Sequence, residues 1–169
     1  MQVYRATSAG EPLVSMIAKH IVALDAETGA LRWKQPVEPA VTRIVVTAGI
    51  VFVAADEGRV STLLMFDLAT GAPRGSIPLP FRCHGALVSG DRIYFAGSEG
   101  IFAVRSDGRA MFKVSRQVTE KSAWAGETAD LVAHDPTGAE MWRLPNMGIT
   151  TFATYLSVGS DVAQIDFDS

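Results

Sequence analysis

Three histidines, one cysteine and a recurring aspartate are the residues of this 169-residue chain whose types could do chemistry. His20, His84 and His134 could ligate a metal ion through imidazole nitrogen, but their wide separation along the chain makes convergence unexpected, and structural or solvent-exposed roles are read for them. Cys83 and His84 set a nucleophile type beside a base type. They are neighbours in a segment of strand composition, where consecutive side chains point to opposite faces, so joint catalysis is not expected and packing is. Asp25, Asp67, Asp107 and Asp135 recur beside glycines and could form a carboxylate ring for a hard cation, but a carboxylate beside a turn glycine is better placed to cap the backbone. Gly97-Ser98-Glu99-Gly100 lacks the lysine and helix start of a phosphate loop and reads as a turn. No catalytic residue and no metal ligand is therefore assigned, and no cofactor is expected.

The elements that position these residues are repeats. Aligned on a turn glycine, the chain reads Leu24-Asp25-Ala26-Glu27-Thr28-Gly29, Phe66-Asp67-Leu68-Ala69-Thr70-Gly71, Ala103-Val104-Arg105-Ser106-Asp107-Gly108 and Ala133-His134-Asp135-Pro136-Thr137-Gly138. The glycines stand 42, 37 and 30 residues apart (29 to 71, 71 to 108, 108 to 138), so the array shortens toward the carboxyl end. Four residues after each glycine come Trp33, Gly75, Phe112 and Trp142, aromatic in three copies of four. Glycine takes a positive φ without steric cost, and Asp and Thr side chains close the reversal by bonding to nearby backbone. A ring just beyond the turn can cover an adjoining sheet, burying roughly 150–250 Å².

Strand-like runs flank every turn, and no helical period competes with them. The second unit predicts strands over 42–47, 50–54, 61–66 and 72–78, and the third over 83–89, 92–96, 100–105 and 109–114. Repeats of about 40–45 residues with four strands each predict the blades of a β-propeller. The expected fold is thus all-β: a single domain over 1–169 with four four-stranded antiparallel blades, their turn motifs near 25–33, 67–75, 104–112 and 134–142. In the amino-terminal unit residues 2–7 align as a second strand with no first strand before it, and the closing strands expected in 150–169 could supply one. Closure within one chain gives a four-bladed ring. Exchange between two chains gives an eight-bladed homodimer, and a fragment of a longer propeller is the third alternative.

The pattern Ala23-Leu24-Asp25, Thr28-Gly29 and Trp33 resembles the repeat of the quinoprotein alcohol dehydrogenase-like superfamily, over nearly the whole chain. The resemblance implies a W-shaped blade whose structural residues are Asp25, Gly29, Trp33, Asp67, Gly71, Gly108, Phe112, Asp135, Gly138 and Trp142, with Trp33, Phe112 and Trp142 docking blade to blade; Gly75 departs from it. The superfamily includes dehydrogenases using pyrroloquinoline quinone and calcium, and also a non-enzymatic lipoprotein scaffold of outer-membrane protein assembly. The vicinal cysteine pair of the quinone alcohol dehydrogenases cannot be made from Cys83 alone, and Asn146 is the only asparagine for an amide ligand. The non-enzymatic branch is the better fit, so the expected function is a non-catalytic scaffold for protein–protein interaction or assembly. A small-ligand or quinone-binding protein, with a reduced quinoprotein enzyme as one form of it, is the alternative.

Bulk composition sets the remaining bounds. A formal charge of −3 supplies no basic field for phosphates, so nucleic acid is not an expected partner; a protein is. With 48% hydrophobic and 20% charged residues the chain has an ordinary globular balance, and no apolar run is long enough to span a bilayer. Residues 1–6 do not read as a secretory leader, which places the chain as written in the cytoplasm, or in the periplasm or outside the cell if a leader has been removed. Residues 8–12 and 117–122 read as polar loops that could carry recognition.

Overall fold

Short apolar runs between frequent reversals fold into antiparallel meanders. The computed structural model describes residues 3–4, 10, 12–97, 100–122, 126–148, 154–158 and 161–165, and among these every regular element is a strand. The chain divides into two compact units, one of residues 1–83 with 106–108 and the other of residues 84–105 with 109–169.

In the first unit β1 (Val3–Tyr4), β2 (Leu13–Ile17), β3 (His20–Leu24) and β4 (Leu31–Pro36) form one four-stranded sheet in chain order. A second consists of β5 (Ala40–Thr47), β6 (Ile50–Asp56), β7 (Ser61–Asp67) and β8 (Pro73–Leu79). These bounds lie close to those expected for the second sequence repeat. The core between the two sheets takes Val14, Ile21, Ala23 and Trp33 from the first and Ile44, Val51, Val53, Ala55, Phe66 and Leu68 from the second, with Val37 on the connection. Strand β6 is buried on both faces from Ile50 to Ala55, which explains its unbroken apolar sequence.

The amino-terminal unit corrects the sequence expectation. Residues 3–4 occupy the first place in the sheet, not the second, pairing Val3 with Ser15 and Tyr4 with Val14. The second strand is Leu13–Ile17, and it joins β3 through a two-residue reversal at Ala18 and Lys19, with φ of 45° and 62°. Such a reversal normally announces itself by Gly, Asn or Asp. Here neither residue does so, and the strand pair is hidden in the sequence. With β1 in first place, the amino-terminal sheet does not lack a strand.

From its first residue, Cys83, which closes the first unit, β9 (Cys83–Ser89) leads into the second, where it pairs consecutively with β10 (Arg92–Gly97), β11 (Gly100–Arg105), β12 (Ala110–Ser122), β13 (Gly126–His134) and β14 (Glu140–Gly148) in one six-stranded sheet. The third and fourth turn motifs therefore share a sheet and do not head two four-stranded ones. The cause is spacing. Only 30 residues separate Gly108 from Gly138, and the 13-residue β12 with the 9-residue β13 use most of them. Residues 117–122 are the far half of β12, hydrogen-bonded to β13, and not the loop expected from their polarity. Of residues 8–12, only Gly10 and Pro12 lie within the described residues. On this sheet Tyr94, Ala96 and Ala103 pack with Leu87, Ile101, Met111 and Phe112. Strands β15 (Thr154–Val158) and β16 (Asp161–Ile165) pair antiparallel as a separate hairpin.

The left-handed conformation at Lys19 generates a stability prediction. A non-glycine residue there is strained by about 1–2 kcal/mol, partly offset by the greater freedom of glycine in the unfolded chain. Lys19→Gly should raise the stability of the first unit by up to about 1 kcal/mol in urea titration, despite losing the exposed 3.5 Å pair with Glu38.

Candidate functional site

Three of the four turns begin with a carboxylate that the backbone beyond it can reach. In the first, the amides of Glu27 and Thr28 donate to Asp25 Oδ1 at 3.1 and 2.9 Å, and the Thr28 hydroxyl donates to the same oxygen at 2.9 Å. Arg32 donates to Asp25 Oδ2 at 2.7 Å. The second turn repeats this frame: Ala69 and Thr70 amides and the Thr70 hydroxyl on Asp67 Oδ1 at 3.0, 2.9 and 3.0 Å, and Arg74 on Oδ2 at 2.7 Å. Gly29 and Gly71 close the turns with φ of 71° and 73°. Asp135 makes a shorter version, taking the Thr137 hydroxyl at 2.6 Å and the amides of Thr137 and Ala139 at 2.8 and 3.0 Å. In the third turn Arg105, not Asp107, holds the equivalent backbone place, its amide donating to the Arg109 carbonyl at 2.9 Å.

These bonds set the ionisation of the carboxylates. Arg32, then the Thr28 amide and hydroxyl, hold Asp25 well below the usual carboxylate range. Arg74 and Thr70 lower Asp67 to about 2. Asp135 is lowered chiefly by the Thr137 hydroxyl. Both oxygens of Asp25 and Asp67 are occupied inside their own turns, so this recurrence builds hairpins.

A β-bulge follows every turn at the same place. The pairings Ala23↔Trp33 and Leu24↔Leu31 skip Arg32; Met65↔Gly75 and Phe66↔Pro73 skip Arg74; Ala103↔Phe112 and Val104↔Ala110 skip Met111; Ala133↔Trp142 and His134↔Glu140 skip Met141. A bulge re-aims its side chain. In the first two hairpins the bulged arginine thereby returns to the turn aspartate. This arginine role, at seven residues beyond Asp25 and Asp67, was visible as a recurrent spacing that a search centred on the glycine passes over.

The same pairing explains the odd fourth position. Alanine faces the aromatic in three hairpins, whereas Met65 faces Gly75. The large and small residues have exchanged strands. A Cβ built on Gly108 would lie 2.8 Å from Met65 Sδ, so the methionine fills the place of a ring over that turn.

Trp33 is only 8% exposed, and its Nε1 donates to the Leu68 carbonyl at 2.8 Å. Beneath its indole lies Gly71, where a Cβ would come within 2.6 Å of Trp33 Cδ2. The first sheet is thus seated on the turn of the second. Phe112 instead meets Tyr94 within its own sheet, at a centroid distance of 6.4 Å and a tilt of 58°. Trp142 is 47% exposed.

The remaining candidates do not converge. Among the described residues, no three of the His, Cys, Asp and Glu side chains lie close enough to hold a metal ion. His20 Nδ1 lies 2.9 Å from the Ala18 carbonyl, beside its own hairpin turn. Cys83 is buried, and its amide donates to the buried Ser61 hydroxyl at 3.0 Å. His134 Nδ1 is buried without a hydrogen-bond partner among the described residues. Nearby in sequence, Arg143 bridges Glu140 at 2.7 Å and Asp130 at 2.8 Å, lowering Glu140 and raising its own basicity. Sequence inspection did not single out this trio, because its members are joined across β13 and β14 rather than by a motif.

Residues 4–142 match the family model described as outer membrane protein assembly factor BamB. The chain belongs to this family of PQQ-like β-propellers. No curated protein sequence matches it significantly. Among solved structures, hydrazine synthase of Kuenenia stuttgartiensis is similar with a TM-score of 0.50 at 14% identity, over 87% of this chain and 49% of that one. KlHsv2 with loop 6CD replaced by a Gly-Ser linker gives 0.50 at 9% identity, over 89% and 55%. Europium-containing methanol dehydrogenase gives 0.47 at 16% identity, over 69% and 27%. The chain thus spans from about a quarter to about half of these structures, and the first two likenesses bear on fold alone. Among the described residues no helix is long and apolar enough to cross a membrane.

Two predictions follow from this family's repeat as it stands here. Trp33→Ala should cost about 3–5 kcal/mol, measured by urea unfolding, as expected for a large buried ring; a loss below about 1 kcal/mol would contradict the docking. Asp67 is lowered on folding, so its contribution is complete above its ordinary value of 3.8 and disappears as pH falls through about 2. The stability difference between the native protein and Asp67→Asn should therefore be constant above about pH 5 and shrink toward pH 2.

Proposed function

We propose that the chain is a non-catalytic propeller scaffold on which another protein assembles, with four turn motifs giving four blade positions that close into a ring through residues 150–169. The observation that carries this reading is the use of the repeated polar side chains: Asp25, Thr28 and Arg32, and again Asp67, Thr70 and Arg74, bond to one another and to their own turns. What recurs in this sequence therefore maintains a rigid array, and rigid arrays present surfaces and loops to partners. Membership of the family described as an outer membrane protein assembly factor supports the same assignment. Because the third and fourth motifs share one sheet, ring closure in this reading must accommodate a six-stranded element.

Two measurements on the purified chain separate scaffold from ligand-binding protein. Affinity capture from native lysate should recover one reproducible protein partner that survives washing at raised salt. Calorimetry with pyrroloquinoline quinone and calcium should give no saturable heat. Saturable quinone binding, with no retained protein, would replace the scaffold reading by the small-ligand one.

A further inference from the structure

The third hairpin departs from the others in a way that turns charge outward. In every hairpin one residue donates its amide to the carbonyl just beyond the turn glycine; it is Asp25, Asp67 and Asp135 in three of them and Arg105 in the third. The residue across the strand pair changes as well. Asp67 faces Ile50, whereas Arg105 faces Arg92. Like charges directly opposite one another destabilise a strand pair, so these two arginines work against the sheet that carries them. The bulged position, which returns Arg32 and Arg74 to their carboxylates, is Met111 here and returns no charge.

The two guanidiniums share one carboxylate. Asp91 Oδ1 lies 3.8 Å from Arg92 Nε, and its Oδ2 accepts from Arg105 at 3.0 Å. Arg92 also interacts with the Tyr94 hydroxyl. Both arginine side chains stand half exposed, at 51% and 50%. A guanidinium presents its N–H donors in a planar fork, and among the described residues most of these donors meet no acceptor. Arg143 is the contrast, since Asp130, Glu140 and Gln117 take its donors on every side. The surrounding sequence adds to the field: residues 82–116 carry six Lys and Arg against three Asp and Glu, while the rest of the chain carries nine against fifteen.

We propose that Arg92 and Arg105 form a docking point for an acidic segment of the protein that assembles on this chain, taking its Asp or Glu carboxylates on their paired forks. The proposal rests on the scaffold reading and names the chemistry of its partner. A short acidic segment is the occupant indicated, rather than a nucleic acid, because the cationic excess is confined to one repeat and the acidic remainder of the chain repels a long polyanion. Asp91 holds the two arginines together in the unbound protein and competes with the incoming carboxylates.

Fluorescence anisotropy on the full chain tests this, with a labelled oligoglutamate peptide as the probe and oligoglutamine, inorganic phosphate and a single-stranded oligonucleotide of equal charge beside it. Oligoglutamate should bind where oligoglutamine does not, and less tightly as ionic strength rises. Arg92→Gln and Arg105→Gln should each weaken binding up to about fivefold, and Lys34→Ala on β4 should leave it unchanged. Asp91→Asn, which removes the competing carboxylate, should tighten binding by a similar factor. Tighter binding cannot come from a damaged fold, so this variant decides the matter if an arginine variant fails to fold. Oligoglutamate that does not bind, that binds both folded arginine variants unchanged, or that Asp91→Asn does not tighten overturns the proposal. Phosphate or the oligonucleotide binding more tightly than the peptide overturns it in favour of that anion. Capture from lysate separates this failure from failure of the scaffold reading: a partner still recovered by a folded chain lacking both arginines overturns the docking point and leaves the scaffold, whereas recovery of no partner by the native chain removes the scaffold and this occupant with it.

Discussion

The seating of Trp33 on the turn of the following sheet is the contact on which the order of the first unit rests. It combines a buried hydrogen bond from indole to the Leu68 carbonyl with close apposition of the ring to Gly71. Both parts demand that the turn hold its shape. A side chain at residue 71 would occupy the space of the indole, and a turn that opened would move the carbonyl away. The aspartate, threonine and arginine bonds of the second hairpin therefore support a contact made by a residue they do not touch. Positive φ and steric clearance are two independent reasons for the same glycine.

The bulge gives this device its economy. Skipping one residue after each turn sends Arg32 and Arg74 back to their carboxylates and sets the next residue across from the third strand's small or large partner. Where the aromatic is replaced by Gly75, Met65 on the facing strand provides the bulk and meets Gly108. Position 75 is a departure from the repeat when read along one strand, but a conserved sum of sizes when read across two. Packing density constrains the pair, not either member.

Membership of a propeller family and the rigid polar bonding of the repeats agree in placing the constant features of the sequence in architecture. The chemistry of the remaining polar groups is local: a backbone bond for Cys83, a carbonyl contact for His20, and a cross-strand charge group at Arg143. A fold built this way can diversify at its loops without disturbing its turns, since the turn bonds close upon themselves.

The sequence by itself determined the all-β class, the four hairpin turns, and the strands of the second sequence repeat and of the third as far as residue 114. Those features are encoded locally, by glycine, aspartate and threonine at fixed offsets and by alternation over six or seven residues. Local chemistry also misled where its usual signals were missing or misplaced. The Ala18-Lys19 reversal carries no turn residue, so Leu13–Ile17 went unseen, and the polar stretch 117–122 looked like a loop although β13 supplies its backbone bonds. Only the tertiary structure decided that Trp33 is seated while Trp142 stands half exposed, and that motifs three and four share a sheet. Both tryptophans follow a Thr-Gly-Ala turn at the same spacing, and both face an alanine across the strand pair. Trp33 has Gly71 beneath its ring, and that depends on the packing of one sheet on another, which no local pattern records.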